Sequence, residues 1–125
     1  MMQENSNESI KYTYLCLEEA VQRVCDEELV HEMLIMLNSS IDYDWSEFEK
    51  YSNANQYTLA AKILHEMKGI IPIFADKKTE EAILKTESLL LSPTDETELK
   101  KVLLELRYQM LGFISDLKVW VEMQN

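Results

Sequence analysis

Apolar residues recur every three or four positions along most of the chain, which is the spacing of amphipathic α-helices. The longest stripe lies near the C-terminus and requires partner helices along its whole length. Its members are Leu99, Val102, Leu103, Leu106, Met110, Phe113, Ile114, Leu117 and Val121. Shorter stripes predict helices over residues 12–24, 27–37, 45–51, 57–74 and 79–91.

Turn and capping residues separate these predicted helices. Asp26 is expected to cap the second helix, and the segment NSSIDYD at residues 38–44 predicts a break before the third. Ser92, Pro93 and Thr94 are typical of a helix end followed by a new start. Because the connections are short, the sequence predicts an all-α fold, an antiparallel four-helix bundle with a short additional N-terminal helix.

The composition supports an all-α fold and a single domain. Two Gly and two Pro among 125 residues are too few for an all-β domain, which needs turn residues roughly every 8–12 positions. We expect residues 1–9 to form a flexible lead and residues 10–125 to form the domain. Cys16 and Cys25 are expected to be reduced thiols, and the spacing of cysteines and histidines matches no known metal-ligand pattern. No metal site is therefore predicted.

Charge and hydropathy argue against two classes of partner. The 12 Lys and Arg residues and 23 Asp and Glu residues give a net charge of −11, which disfavours binding to the phosphate backbone of nucleic acid. No apolar run reaches the roughly 18 residues of a membrane-spanning helix, so direct membrane insertion is not expected. The polar N-terminus lacks the pattern of a signal peptide. The sequence predicts a cytoplasmic protein.

The two histidines, His31 and His65, each begin the tripeptide His-Glu-Met, but their surroundings differ. His31 is followed by Leu34 and Ile35 and is preceded one turn earlier by acidic residues, which would repel an anionic group. We interpret His31 as a plain surface histidine.

The surroundings of His65 suit a nucleophile. On a helical wheel of residues 59–74, the apolar residues fill an arc of roughly 140°, and His65 points almost opposite, with Ala61 and Pro72 on its face. The predicted arc contains Leu59, Ala60, Ile63, Leu64, Met67, Ile70, Ile71 and Phe74. Lys62 and Lys68, one turn away on either side, are close enough to stabilise a phosphoryl group accepted by an exposed imidazole. Gly69 lacks a side chain and leaves room for another protein to approach.

The segment HEMKG at residues 65–69 resembles the His-x-x-Lys-Gly signature of histidine-containing phosphotransfer (HPt) domains, with Met67 in place of the usual Leu. The resemblance implies that His65 accepts a phosphoryl group from the aspartate of one response-regulator receiver domain and passes it to the aspartate of a second. It also implies that Lys68 and Lys62 stabilise the phosphoryl group. The residues expected to dock the partner are Ala61, Glu66, Gly69 and Pro72.

The resemblance implies a phosphocarrier without ATP-dependent kinase activity. It also implies that the chain has no cofactor of its own, because the receiver domain holds the Mg²⁺. The resemblance fits a free-standing protein, or part of a hybrid sensor kinase at the cytoplasmic end of a membrane-bound receptor. The chain departs from the family at Ile70-Ile71-Pro72, where Pro72 lacks a backbone donor and is expected to kink the helix or end it early. The alternative hypothesis is a helical adaptor that retains an HPt-like bundle and binds partners without phosphotransfer.

Overall fold

The computed structural model of the protein describes residues 11–92 and 95–124. The predicted lead over residues 1–9 and the predicted helix break at Pro93 and Thr94 lie outside the described residues. Every regular element in the described part is a helix, apart from one isolated β-bridge. The helices are α1 (Leu17–Val24), α2 (Glu27–Asn53), α3 (Tyr57–Lys68), α4 (Ile71–Phe74), α5 (Lys77–Leu91) and α6 (Glu96–Met123).

The four longest helices pack in a cycle around the apolar core. Helix α2 contacts α3 and α6, and α5 also contacts α3 and α6. The predicted C-terminal stripe lies on α6, where its central members are buried against these neighbours. The side chains that are less than 2% exposed include Phe48, Phe74, Phe113, Leu34, Ile41, Leu64, Ile71, Ile83, Leu99, Leu106, Met110 and Leu117. The prediction of an all-α fold is therefore confirmed.

Helix α2 runs without interruption through residues 38–44, so the predicted break there is wrong. The hydroxyl groups of Ser39 and Ser40 donate to backbone carbonyls three residues earlier, at 2.6 and 3.5 Å, instead of ending the helix. One buried stripe continues across the segment and comprises Val30, Leu34, Ile41, Trp45 and Phe48. Packing of this stripe outweighs the turn preference of the polar residues. The predicted cap is confirmed, since Asp26 Oδ1 accepts from the backbone N–H of Leu29 at 3.1 Å.

The single helix predicted over residues 57–74 is divided in the structure. Helix α3 ends at Lys68, and the N–H groups of Gly69 and Ile70 bond to carbonyls three residues earlier, at 3.2 and 3.1 Å. Pro72 has no N–H to offer the carbonyl of Lys68, so the helix stops as its position predicted, and α4 forms a separate turn. Gly69 therefore follows the last residue of α3 and does not lie within a continuous helix.

Residues 12–16 were predicted to be helical but are not: residues 13 and 14 form a bend, and α1 begins only at Leu17. Leu15 forms an antiparallel bridge with Ala75. The Oδ2 atom of Asp116 on α6 accepts from the N–H groups of Tyr14 and Leu15 at 2.7 and 3.2 Å. These bonds satisfy the backbone donors of Tyr14 and Leu15 without a helix, so the segment can remain non-helical.

The ring of Tyr14 lies directly over Gly112 of α6. A Cβ atom at Gly112 would overlap this ring, so only glycine allows the N-terminal segment to pack this closely against the helix. The edge of the Tyr14 ring also meets Tyr108, with ring centroids 6.3 Å apart. Within residues 11–92 and 95–124, no helix is long and apolar enough to cross a membrane.

Candidate functional site

Helix α3 is rotated relative to the orientation predicted from its apolar residues. Leu59 and Ile70 were expected in the core but are exposed, whereas Ala61, expected on the open face, is only 3% exposed. The buried residues of the helix are Ala60, Ala61, Leu64 and Met67. On a helical wheel with 100° per residue, the mean direction of these four buried side chains is roughly 60° closer to His65 than the centre of the predicted apolar arc. His65 therefore lies at the edge of the interface between α3 and α5, and not opposite the core.

At this edge, the imidazole of His65 contacts a carboxylate from the neighbouring helix. The Nδ1 atom of His65 lies 2.7 Å from Oε2 of Glu87 on α5. The His65 side chain is 67% exposed, whereas the Glu87 side chain is 11% exposed. The contact thus joins an accessible ring to a carboxylate that is largely withdrawn from water.

Glu87 also binds the lysine of the motif. Its second oxygen, Oε1, lies 2.8 Å from Nζ of Lys68. The pKa of Glu87 is lowered, and the largest cause is the hydrogen bond from Lys68. The hydrogen bond from His65 and the positive charges of both groups lower it further, whereas burial of the carboxylate raises it. The carboxylate is therefore ionised at neutral pH and bridges His65 and Lys68.

An ionised carboxylate only accepts hydrogen bonds, so Glu87 selects the imidazole tautomer that carries its proton on Nδ1. In the neutral ring, the lone pair then resides on Nε2, at the other side of an exposed imidazole. A nitrogen with a free lone pair is a nucleophile without first losing a proton. The arrangement prepares Nε2 of His65 for attack on an electrophile that arrives from solvent.

The two predicted phosphate-binding lysines both lie near His65. Lys68 is held by Glu87 one turn after the histidine. Lys62 is exposed one turn before it and lines the same open groove between α3 and α5 as His65 and Glu87. The remaining residues of the groove are Thr58, Ala61 and Leu91. An anion on Nε2 would thus have a cation on each side along α3.

The residues predicted to dock a partner have different environments. The prediction that Ala61 lies on the face away from the core is wrong, because its short side chain is buried beside α5, although it lines the groove. Gly69 is exposed. A Cβ atom added there would lie 3.5 Å from the carbonyl oxygen of Glu66, which is an ordinary van der Waals contact. Pro72 is half-buried, and its carbonyl accepts from Nη1 of Arg23 at 2.9 Å. Ala61 and Gly69 thus flank His65, whereas Pro72 belongs to the contact between α1 and α4.

Glu66 is exposed on the side of α3 that faces α2. It lines a small cavity together with Asp44 of α2. Burial raises the pKa of the Asp44 carboxyl, and the negative charge of Glu66 raises it further. The α2 side of His65 is therefore acidic.

Sequence reasoning missed Glu87, the residue that organises the site. A signal was present, because Glu87 follows Ile83 by four residues and precedes Leu90 by three, which places it in the buried stripe of α5. A carboxylate at such a position needs a partner. The identity of that partner depends on how α3 and α5 face each other, which the sequence of either helix does not specify.

The other titratable groups outside this cluster offer less chemistry. His31 is exposed, and its ring meets Trp120 edge-on, with centroids 5.0 Å apart. Cys16 and Cys25 are both free thiols. In the described part of the chain, no three His, Cys, Asp or Glu residues are grouped as metal ligands would be.

The chain was compared with protein-family models, with curated proteins and with solved structures, and no match was found in any of the three.

Proposed function

We propose that this protein is a histidine phosphotransfer domain that relays a phosphoryl group between receiver-domain aspartates through His65. The observation that carries the proposal is the carboxylate of Glu87, which binds Nδ1 of His65 and Nζ of Lys68 at the same time. This contact fixes the tautomer of an exposed imidazole and leaves its other nitrogen open to solvent. The HEMKG motif and the exposure of the imidazole support the same function.

The proposed architecture is an antiparallel four-helix bundle made of α2, α3, α5 and α6, to which α1 and the preceding segment are added. The cyclic contacts among these four helices support it. The site lies on the outer edge of the contact between α3 and α5. An accepting nitrogen placed there is accessible to a second protein.

In the proposed reaction, the lone pair on Nε2 attacks the phosphorus atom of a phospho-aspartate. The N–P bond forms as the P–O bond to the aspartate breaks, and the electrons of that bond leave with the aspartate carboxylate. No proton leaves Nε2, so the phosphorylated ring is an imidazolium with its proton still on Nδ1. Glu87 stabilises this cation, and Lys62 and Lys68 stabilise the phosphoryl oxygens.

The proposed partners are receiver domains, which would supply the Mg²⁺, and the chain itself would need neither a cofactor nor ATP. In the reverse step, the carboxylate of a second receiver attacks phosphorus, and the electrons of the N–P bond return to Nε2. A phosphocarrier of this kind would act in the cytoplasm, alone or as part of a hybrid sensor kinase.

Phosphorylation can be measured by intact mass spectrometry after incubation with phosphoramidate, and separately with receiver domains of the same organism phosphorylated by acetyl phosphate. We expect one added phosphoryl group on the wild-type chain and on His31→Gln, and none on His65→Gln. Samples are kept at neutral or alkaline pH because the N–P bond hydrolyses in acid. Failure of every receiver to transfer would instead favour a helical adaptor that retains an HPt-like bundle.

A further inference from the structure

The surfaces on the two sides of His65 differ in chemistry. On the α5 side, Leu84 and Leu91 are 46% and 64% exposed. They lie three residues before and four residues after Glu87, so both are on the same side of α5 as the carboxylate that binds His65. Leu91 lines the same groove as the imidazole. The histidine therefore borders an exposed apolar surface in the direction of α5.

In the direction of α2, the surface beside His65 is acidic. Glu66 follows His65 directly and is exposed, and Asp44 of α2 lines the same cavity as Glu66. The remaining lining of this cavity includes apolar residues of both helices. A positively charged side chain with an aliphatic stem would match both the carboxylates and the apolar walls.

A protein that exchanges a phosphoryl group with His65 must cover these surfaces. Its reacting atom has to approach Nε2 to within a few ångströms, so the surrounding protein necessarily lies over the adjoining turns of α3 and α5. Exposed leucines on that surface then become buried, which favours association. The two carboxylates near α2 would be desolvated by the same approach, and they require a countercharge on the partner.

We propose that the phosphotransfer partner docks across α3 in one orientation, with an apolar ridge on Leu84 and Leu91 and a basic side chain opposite Glu66 and Asp44. This inference rests on the proposed function and adds to it the chemistry of the partner surface. The orientation follows from the differing chemistry on the two sides of a single histidine.

Two substitutions test the two sides separately, and each has a control on α6. Leu91→Asp places a charge on the apolar side, and Leu104→Asp is its control, because Leu104 is 68% exposed on α6. Glu66→Lys reverses the charge on the acidic side, and Glu105→Lys is its control at another exposed glutamate. Circular dichroism and thermal unfolding establish that all four variants fold.

For each variant, the phosphorylation rate is measured with a phosphorylated receiver domain of the same organism and with phosphoramidate. We expect Leu91→Asp and Glu66→Lys to slow transfer from the receiver by roughly 10-fold or more, as substitutions at the centre of an interface do. Phosphoramidate needs no docking, so its rate reports the reactivity of His65 itself. The two α6 variants are expected to match the wild type with both donors.

An unchanged receiver rate in Leu91→Asp or in Glu66→Lys overturns the proposed orientation, as does an equal loss in the α6 controls. A wild-type chain that accepts no phosphoryl group from any receiver overturns the proposed function itself. The phosphoramidate measurement therefore separates a failure of docking from a failure of phosphotransfer chemistry.

Discussion

The carboxylate of Glu87 lies 2.7 Å from Nδ1 of His65, across the boundary between α5 and α3. The same carboxylate lies 2.8 Å from Nζ of Lys68. The imidazole of His65 and the ammonium of Lys68 are thus both positioned by one residue of the neighbouring helix. The packing of α3 against α5 therefore determines both the tautomer of His65 and the position of Lys68.

Replacement of Glu87 by glutamine should slow phosphorylation of His65 by phosphoramidate. A hydrogen bond to a charged group contributes about 1.5–3 kcal/mol, and its loss in the transition state corresponds to roughly 10- to 100-fold in rate. The exposed Glu81→Gln on the same helix is the control. Nitrogen-15 NMR of the imidazole should show the Nδ1–H tautomer in the wild type and a mixture in Glu87→Gln. An unchanged rate with an unchanged tautomer would exclude a positioning role for Glu87.

Replacement of Lys68 by methionine should also slow phosphorylation, because it removes a cation beside the phosphoryl group and keeps the aliphatic stem. The expected loss is about 10-fold, equivalent to one charge-assisted hydrogen bond. The pKa of Glu87 should rise in this variant, since the bond from Lys68 is the largest cause of its lowering. Rates with phosphoramidate, compared with those of the exposed Lys78→Met on α5, test the prediction. Equal rates in the two variants would contradict it.

The periodic part of the fold could be predicted from sequence, as could the cap at Asp26 and the helix end before Pro72, but the break predicted at residues 38–44 was wrong. The stripe of α6 is long, so its helical spacing is unambiguous, and the structure buries its central members. The segment at residues 38–44 has the composition of a turn, yet it lies within α2, because Ile41 and Trp45 bury their side chains only if the helix continues. The turn preference of these polar residues was outweighed by contacts between α2 and distant parts of the chain. The sequence of the segment alone does not reveal those contacts.

The site shows the same division between local and distant information. His65 and Lys68 belong to one short motif, so their proximity follows from the geometry of a single helix. Glu87 is 22 residues further along, on another helix. Its contact with His65 depends on the rotation of α3 about its own axis, and the exposure of Leu59 and the burial of Ala61 show that apolar character alone predicted this rotation incorrectly.

The bridging role of Glu87 predicts a pH dependence of stability. Its pKa is lower in the folded protein than the ordinary value of about 4.3, so the unfolded chain binds more protons in the interval between the two values. The stabilisation is therefore complete above the ordinary pKa and is lost as the pH falls through the folded pKa. Urea unfolding at a series of pH values should show the stability difference between wild type and Glu87→Gln to be largest near neutrality and to shrink below about pH 4. A difference that is independent of pH would contradict this account.

The two glycines should respond in opposite ways to substitution by alanine. At Gly112, the added Cβ overlaps the ring of Tyr14, so the free energy of unfolding should fall by roughly 1–3 kcal/mol despite the better helix propensity of alanine. At Gly69, an added Cβ would lie 3.5 Å from the carbonyl oxygen of Glu66, which is an ordinary contact, and the backbone is right-handed helical. Stability should therefore be unchanged or slightly increased. Chemical denaturation of both variants measures the contrast.

A double-mutant cycle identifies Tyr14 as the cause of the loss at Gly112. In a Tyr14→Ala background the overlapping ring is absent, so Gly112→Ala should no longer destabilise and should instead gain up to about 1 kcal/mol from helix propensity. The same loss in both backgrounds would show that the overlap with Tyr14 is not its origin. The predicted coupling arises because Asp116 holds this segment against α6: its Oδ2 atom accepts from the N–H of Tyr14 at 2.7 Å and from the N–H of Leu15 at 3.2 Å. The segment therefore cannot move away from α6 without losing these two hydrogen bonds.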